Sequence, residues 1–445
     1  PNIVLALAPV ATGGSVAING PIATGRLQAA AGTALTLGDV TASGSTELSA
    51  GGLATFLGTV SAPQIDVTSA DITVAAGGSL GQAGVTDVVN LIAVSDAPVA
   101  IGATDASGAQ YVLNEDGDLF ADTLNITGQS ATGGAGPDVV VGDVQIEGSG
   151  APGGHVSHVN LTTGGNVLVE GQVDFVNAGS GDSLAITGGD SIQIDTDGGA
   201  ITMTGSDGGL AGSLALTAHD IWAADGALLD QLNADPSFAG FEQALGTNNG
   251  AVNPAGYLQA GGITVTMLGS SFLVQNSGTA DQPAGLTVGD GGLHIVNQGS
   301  DPATVILFGQ QTSGGTTVTG DEFLEQVAFE GAGGFTSDSA VNGCGVGAGC
   351  TPQTQPPPEE PPVPGVESIL GPIGLMGSPS AMSGSDEFAN DTSDDESSDD
   401  DEDSGDDSST NVDASVGLIN TGPVSIEPPI EEPVTSGSDA PGGGN

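Results

Sequence analysis

Basic side chains are almost absent from this chain. Arg26 is the only Lys or Arg among 445 residues, which include 55 Asp and Glu, so the formal net charge at pH 7 is −54. A protein that binds nucleic acid or an anionic membrane surface uses clustered Lys and Arg to neutralise phosphates. This composition excludes such a cluster, and we expect no nucleic-acid partner.

Aromatic residues, cysteines and long apolar runs are also scarce. Aromatics make up 3% of the chain, and no run approaches the roughly 20 apolar residues of a membrane-spanning helix. The two cysteines, Cys344 and Cys350, flank the small-residue loop GVGAG. We predict one local disulfide between them, which fits an oxidising compartment.

Apolar residues between 183 and 225 occur as pairs two positions apart, with Gly, Asp and Ser between the pairs. The pairs are Leu184/Ile186, Ile192/Ile194, Ile201/Met203 and Leu214/Leu216. A spacing of two places both members on one face of a short strand, and the turn residues let the chain change direction. LAIT at 184–187 recurs as LALT at 214–217. The pattern predicts an all-β solenoid, a parallel β-helix.

The repeats divide the chain into predicted regions. Residues 1–224 are β-helix repeats, in which TLGDV at 36–40 and FLGTV at 56–60 lie twenty residues apart. Helical spacing follows Asp225 and predicts a helical insertion over 225–246 that packs on the side or end of the coils. Residues 247–350 return to paired strand residues and end in the Cys loop.

The last part of the chain has a different composition. Residues 351–380 form a Pro-rich linker, and 381–445 form an acidic tail that contains a long Ser/Asp run without any basic residue. Such a segment cannot bury enough apolar surface to offset the entropy lost on ordering. We predict that this tail is disordered.

Several segments together carry a resemblance to a known family. They are GSLALTAHDIWAADGALLDQLNADP at 212–236, VNPAGYLQAGGI at 252–263, LVQNSGT at 273–279, AGLTVGDGGLHIVN at 284–297 and SAVNGCGVGAGC at 339–350. With the proline-rich tail, they resemble the C-terminal part of filamentous haemagglutinin-like exoproteins of Gram-negative bacteria, the cargo of two-partner secretion. The resemblance covers roughly residues 183–437, and the earlier repeats are similar only in their general repeat pattern.

This resemblance implies a right-handed parallel β-helix, secreted or held at the outer cell surface, without a catalytic site. It implies a structural role in adhesion, aggregation, or biofilm and filament formation. The implied partners are cell-surface or matrix components, further copies of the same chain, and an outer-membrane transporter during export.

Parallel β-helices also include carbohydrate-active enzymes, so the carboxylates need a separate interpretation. A lyase of this fold needs a basic residue beside acidic calcium ligands, and Arg26 lies far along the sequence from any carboxylate cluster. A hydrolase needs only paired carboxylates, for which Asp190, Asp195 and Asp197 are candidates if stacked corners bring them together. Solvated turn aspartates are the other interpretation of these residues, and we predict no catalytic site.

Metal ligands are few. His155 and His158 (HVSH) would share a metal only on a helix, whereas their Gly and Val neighbours indicate a strand or loop. DTDGG at 195–199 and NEDGDL at 114–119 have the carboxylate density that suits calcium, but neither completes a calcium-loop pattern. We therefore predict no metal and no cofactor. The leading hypothesis is a structural surface protein, and the alternatives are a carbohydrate-active β-helix enzyme and a passive surface-layer component.

Overall fold

The chain divides into two units, Pro1–Gly365 and Val366–Asn445. The computed structural model describes only residues of the first unit. These are 4–7, 13–102, 109–112, 118–152, 155–234, 257–275, 285–308, 311–313, 316–318, 327–331, 333–335 and 340–342. The Cys loop, the linker and the acidic tail predicted from the sequence lie outside the described residues.

Most of the described residues belong to short strands. The first strands are β1 (Val4–Leu7), β2 (Val16–Ile18), β3 (Ile22–Thr24), β4 (Arg26–Ala31), β5 (Leu35–Leu37), β6 (Val40–Ala42), β7 (Ser45–Ala50), β8 (Leu53–Phe56), β9 (Thr59–Ser61), β10 (Gln64–Ser69), β11 (Asp71–Val74), β12 (Ser79–Leu80), β13 (Val88–Val94), β14 (Val99–Ile101), β15 (Ala109–Val112), β16 (Asp118–Leu119) and β17 (Ala121–Gln129). The next are β18 (Val139–Val141), β19 (Val144–Glu147), β20 (Val156–Thr163), β21 (Val167–Val169), β22 (Gln172–Val176), β23 (Ser183–Thr187), β24 (Ser191–Asp195), β25 (Ala200–Met203) and β26 (Ser213–Ala224), followed by the helix α1 (Gly226–Ala234). The last are β27 (Leu258–Val274), β28 (Leu286–Asn297), β29 (Thr304–Phe308), β30 (Gln311–Ser313), β31 (Thr316–Val318), β32 (Ala328–Glu330) and β33 (Ala340–Asn342).

The strands of successive coils stack into three ladders, which we call faces 1, 2 and 3. Face 1 stacks β1, β4, β7, β10, β13, β17, β20 and β23, then parts of β26, β27 and β28, and finally β32. Face 2 begins with β2, β5, β8 and β11 and continues to β33. Face 3 consists of a ladder from β3 to β16 and a second one that begins at β19. Except for β30 with β31, the paired named strands run parallel.

The predicted parallel β-helix is therefore confirmed. The repeat LAIT and LALT stacks in register, with Leu184 opposite Leu214. TLGDV and FLGTV lie on neighbouring coils, and Val40 pairs with Val60 as the spacing of twenty predicts, but Leu37 pairs with Phe56, one residue before the Leu57 that the repeat matches to it. Coils differ in length, since Gln28 and Glu47 are neighbours 19 residues apart, whereas Asn90 and Asn125 are neighbours 35 residues apart. Extra residues are accommodated at the corners, so the ladders themselves stay in register.

Inward-pointing side chains of all three faces form one continuous apolar core. Along β23, for example, Leu184 and Ile186 are buried while the residues beside them are half-buried. The largest fully buried side chains include Phe56, Phe175 and Phe272. Complete burial of each contributes about 1.5–3 kcal/mol relative to exposure, and this core spans the described coils.

Glycine is required at some corners because stacked backbones approach too closely for a side chain. Gly81 has a φ of +92°, and a Cβ atom there would lie 1.8 Å from the carbonyl oxygen of Phe120 in the next coil. Only glycine avoids both the strained backbone and the overlap. Close stacking of this kind accounts for part of the high glycine content, 76 residues.

The predicted helical insertion begins as α1 on the outside of face 2. Asp225 caps it, because its Oδ1 accepts a hydrogen bond of 2.8 Å from the N–H of Leu228. Three buried leucines on one side of α1 then cover an apolar strip of face 2. This side cluster consists of Leu228, Leu229 and Leu232 with Trp222, Ala224, Leu273 and Ile306. The rest of the predicted insertion, from 235, lies outside the described residues.

Strand β15 interrupts the simple stacking order. It pairs with β11 on one side and with β14 on the other, so that Tyr111 is opposite both Ile72 and Ile101. The chain therefore forms β14 first and then returns to place β15 on its N-terminal side. The sequence indicated only weak periodicity between 105 and 123 and did not predict this added strand.

Candidate functional site

Four carboxylates from two stacked coils form what we call the acidic corner: Asp195, Asp197, Asp225 and Asp230. Asp195 ends β24, Asp197 lies in the following turn, and Asp225 follows β26, the strand stacked on β24. The groups approach closely at the start of α1. A Cβ atom on Gly226 would lie 3.4 Å from Asp195 Oδ2 and 3.7 Å from Asp197 Oδ2.

The acidic corner perturbs one of its own members. Burial raises the pKa of Asp195 above its ordinary value, and the charges of Asp197, Asp225 and Asp230 raise it further, against the hydrogen bond from the Asp197 backbone. That hydrogen bond joins the Asp197 N–H to Asp195 Oδ1 at 3.1 Å. A carboxylic acid with a raised pKa beside ionised carboxylates is a combination that hydrolases use for acid–base chemistry. Asp195 and Asp225 also have structural roles, in a turn and a helix cap.

The aromatic rings near this corner are buried. Burial raises the pKa of Tyr257 to about 12, and its side chain is 1% exposed. Trp222 is 4% exposed, and its Nε1–H donates to Ser271 Oγ at 2.9 Å inside the side cluster region. Neither ring is positioned to stack on a sugar from solvent.

Asp190 does not join this corner. It precedes β24, whereas Asp195 ends the same strand, and an extended segment of that length separates the two by about 16 Å. The three aspartates proposed as a hydrolase set from the sequence are therefore divided between two corners. The stacked coil supplies Asp225 and Asp230 to the second corner instead.

The two histidines of the HVSH motif have different partners. His155 Nε2 lies 3.0 Å from Glu147 Oε2, and its ring stacks on Phe120 with centroids 4.7 Å apart. His158 Nδ1 lies 2.9 Å from Ser183 Oγ. The sequence indicated a strand or loop here, and the structure places His158 in β20 with His155 just before that strand. The two rings do not share a site.

The remaining sequence candidates for metal or covalent chemistry have separate outcomes. Within the ranges that the structure describes, no group of three His, Cys, Asp or Glu side chains is arranged to hold a metal ion. DTDGG at 195–199 forms the turn of the acidic corner. Most of NEDGDL, and both Cys344 and Cys350 with their predicted disulfide, lie outside the described residues.

The outer side of face 1 presents a different kind of surface, which we call the neutral panel. Six consecutive strands of face 1 each contribute three outward positions to it, and these residues are all half-buried or exposed, with no Asp, Glu, Lys or Arg among them. The residues are Val88, Asn90, Ile92, Thr123, Asn125, Thr127, His158, Asn160, Thr162, Ser183, Ala185, Thr187, Ser213, Ala215, Thr217, Gly262, Thr264 and Thr266. The residues between them on each strand point into the core.

A column of amides runs along the neutral panel. Asn160 Nδ2 donates to Asn125 Oδ1 at 2.8 Å, Asn125 Nδ2 to Asn90 Oδ1 at 2.7 Å, and Asn90 Nδ2 to Asp66 Oδ1 at 2.6 Å. Asn90 and Asn125 thus each donate to one coil and accept from the next, Asn160 donates at one end of the column, and the other end is the carboxylate of Asp66. Its members are held rigidly in stacking order.

A parallel column of threonines follows two residues further along the strands. Thr127, Thr162, Thr187, Thr217 and Thr266 are successive partners in the face 1 register. Their Cβ atoms repeat at the strand spacing of about 4.8 Å. The neutral panel therefore offers regularly spaced hydroxyl and methyl groups along the ladder.

Charged residues border the neutral panel at both ends of face 1. In the preceding coils Arg26 pairs with Glu47, and Gln28 Nε2 donates to Glu47 Oε2 at 2.6 Å. Beyond the panel, His294 Nε2 lies 3.2 Å from Glu330 Oε2. The uncharged region is thus a bounded patch rather than a property of the whole face.

The sequence interpretation did not identify the neutral panel, although a signal was present. Asn90, Asn125 and Asn160 are separated by 35 residues each and occur in the similar contexts VVNLI, TLNIT and HVNLT. This repeat is longer than the 20-residue repeat that was recognised. The asparagines occupy outward positions, whereas the paired apolar residues mark the inward ones.

Comparison of the chain with protein-family models, with curated protein sequences and with solved structures finds no match. In the part of the chain that the structure describes, no helix has the length and apolar character needed to cross a bilayer. The similarity to filamentous haemagglutinin-like exoproteins stays a prediction from the sequence motifs.

Proposed function

We propose that this protein is a structural β-helical exoprotein, secreted or displayed at the outer surface of a Gram-negative bacterium, that acts in adhesion, aggregation or biofilm formation. The observation that supports this proposal best is the neutral panel, a surface without acidic or basic residues on a chain with net charge −54. Export through an outer-membrane transporter belongs to the same proposal and rests on the sequence resemblance.

The stacked architecture supports a surface role because each coil contacts only its neighbours, and such solenoids present long regular binding surfaces. A highly acidic protein is repelled by anionic cell surfaces and matrices. Contact is therefore favoured where charge is absent and hydrogen-bonding groups are exposed. The neutral panel combines these two properties over six strands.

An adhesion assay tests this role. Beads coated with the full chain should bind to bacterial cells or to a matrix-coated surface more strongly than beads that carry poly-glutamate at equal charge density. The poly-glutamate control removes the effect of negative charge alone. Equal retention of the two kinds of bead would overturn the adhesive role and favour a passive surface-layer component.

A second candidate function is favoured by the acidic corner, where Asp195 with its raised pKa lies beside other carboxylates. This arrangement would support a carbohydrate hydrolase, although the nearby rings of Tyr257 and Trp222 are buried. Release of reducing ends from a panel of polysaccharides, lost on Asp195→Asn substitution, would establish it. Equal release by the wild type and that variant would remove this candidate.

A further inference from the structure

We propose that the neutral panel is the interface through which two copies of this chain associate. This inference rests on the proposed surface function and names a partner for the same face. The occupant is a second neutral panel, so that identical surfaces meet around a two-fold axis, as in most symmetric dimers.

The charge distribution favours this occupant. Each copy carries a net charge of −54 with a single Arg, so contact between acidic surfaces places carboxylates together without basic partners. Glu147 and Asp174 lie on face 3, and the acidic corner borders face 2. Like-charge contacts of this kind cost several kcal/mol, whereas two neutral panels meet without that cost.

The panel chemistry also suits burial. The amides of Asn90 and Asn125 already form hydrogen bonds along the column, so a second surface can cover them without leaving their paired groups unsatisfied. Methyl groups of the threonine column, with Val88 and Ile92, supply the apolar area. Covering such a ladder with another one reproduces the packing of two sheets.

The size of the panel predicts a weak, reversible contact. Six strands at about 4.8 Å spacing and about 20 Å of strand length give about 600 Å² on each copy, or about 1,200 Å² in total, which is at the low end for a specific interface. Asp87 and Asp122 are exposed at the margin of the panel. Their repulsion, with that of the whole molecule, should make the association stronger as salt is added.

A pair of matched variants tests the interface. Thr187→Glu places a charge in the threonine column of the panel, between Thr162 and Thr217. Thr55→Glu makes the same change on face 2, where the half-buried Thr55 is flanked by Thr36 and Thr73 in the same manner. Each variant adds one negative charge at an outward position of a ladder, between two threonines.

Sedimentation of the full chain over a concentration series, at low and high salt, should show reversible dimers of the wild type that strengthen with salt. Thr187→Glu should weaken the association tenfold or more, whereas Thr55→Glu should stay within twofold of the wild type. Circular dichroism and backbone hydrogen exchange must show both variants folded. If Thr187→Glu fails that check, Thr162→Glu, at an exposed panel position, replaces it.

Two outcomes would overturn the inference. One is a wild type that stays monomeric at every concentration, whether or not its panel binds a neutral polysaccharide such as dextran. The other is equal weakening of the association by the two variants. The bead assay separates this result from the proposed function. Beads that adhere while the protein stays monomeric would leave the adhesive role standing without the dimer. If the protein forms dimers but its beads do not adhere, the dimer stands without the adhesive role.

Discussion

Asn125 shows how a single side chain connects three coils. It donates to Asn90 in one neighbouring coil and accepts from Asn160 in the other, and each partner is 35 residues away in sequence. Side-chain amides are poor strand formers on propensity alone, so their presence in three successive coils reflects the column rather than the strand. The column fixes the register of outward residues, as the apolar pairs fix the inward ones.

Replacing Asn125 with Ala should lower the free energy of unfolding by about 1 kcal/mol, because two half-exposed hydrogen bonds are lost and water replaces part of each. Urea unfolding of the coils measures this change. The double variant Asn90→Ala/Asn125→Ala should lose less than the two single variants together, since both singles remove the same hydrogen bond. Strict additivity would show that the column has no energetic coupling.

The raised pKa of Asp195 predicts how the stability of the folded protein depends on pH. Its pKa in the folded protein is raised above the ordinary value of 3.8, first by burial and then by neighbouring carboxylates. A group with a raised folded pKa destabilises the folded state at pH values above that pKa, and this cost disappears as pH falls below 3.8. Asp195→Asn should therefore raise the thermal midpoint at pH 7 and leave it unchanged below pH 3.8.

A matched charge control accompanies that measurement. Asp122→Asn removes one charge from an exposed position outside the acidic corner, so it reports the effect of net charge alone. If Asp195→Asn and Asp122→Asn raise the thermal midpoint by the same amount at pH 7, this would contradict a role for the burial of Asp195.

At the scale of elements, the sequence predicted well which strand residues point into the core. Pairs such as Leu184 with Ile186 define strands because only alternating side chains face the core of a ladder. The helix start was predictable from Asp225 and the leucine spacing, both local features. The position of β15 was not predictable, because Ala109–Val112 is placed by long-range pairing with β11 and β14. The acidic corner depends equally on which coils stack, which no local pattern specifies.

Helix α1 depends on tertiary packing, since nine residues form too short a helix to be stable alone. Leu229→Ala removes a buried side chain from the side cluster and should destabilise the docked helix by about 2–4 kcal/mol. Hydrogen exchange should then accelerate over Gly226–Ala234 while the amides of β23 stay protected. The exposed neighbour Gln231→Ala should leave both segments unchanged, and equal acceleration in the two variants would contradict the packing role.

At the scale of the whole molecule, self-repulsion is a large electrostatic effect. The chain has 55 acidic residues and one Arg, so its charges repel one another, and added salt screens this repulsion over distances that fall from about 10 Å at 0.1 M to about 3 Å at 1 M. We expect the thermal midpoint to rise by a few degrees with NaCl and then level off. If the thermal midpoint rises steadily without a plateau, this would indicate that the salt acts by exclusion from the protein surface. A midpoint that falls as salt is added would contradict dominant charge repulsion.

The returning strand β15 has a consequence for the order of folding. Coils up to β12 can wind in the direction of the chain, each strand using the previous coil as its template. When β14 arrives, its neighbour in the finished ladder has not yet formed, and a gap about one strand wide separates it from β11. A stack that grows from its N-terminal end pauses there until β15 turns back and fills the gap. This coil is therefore the step at which the growing stack waits for residues that come later in the chain.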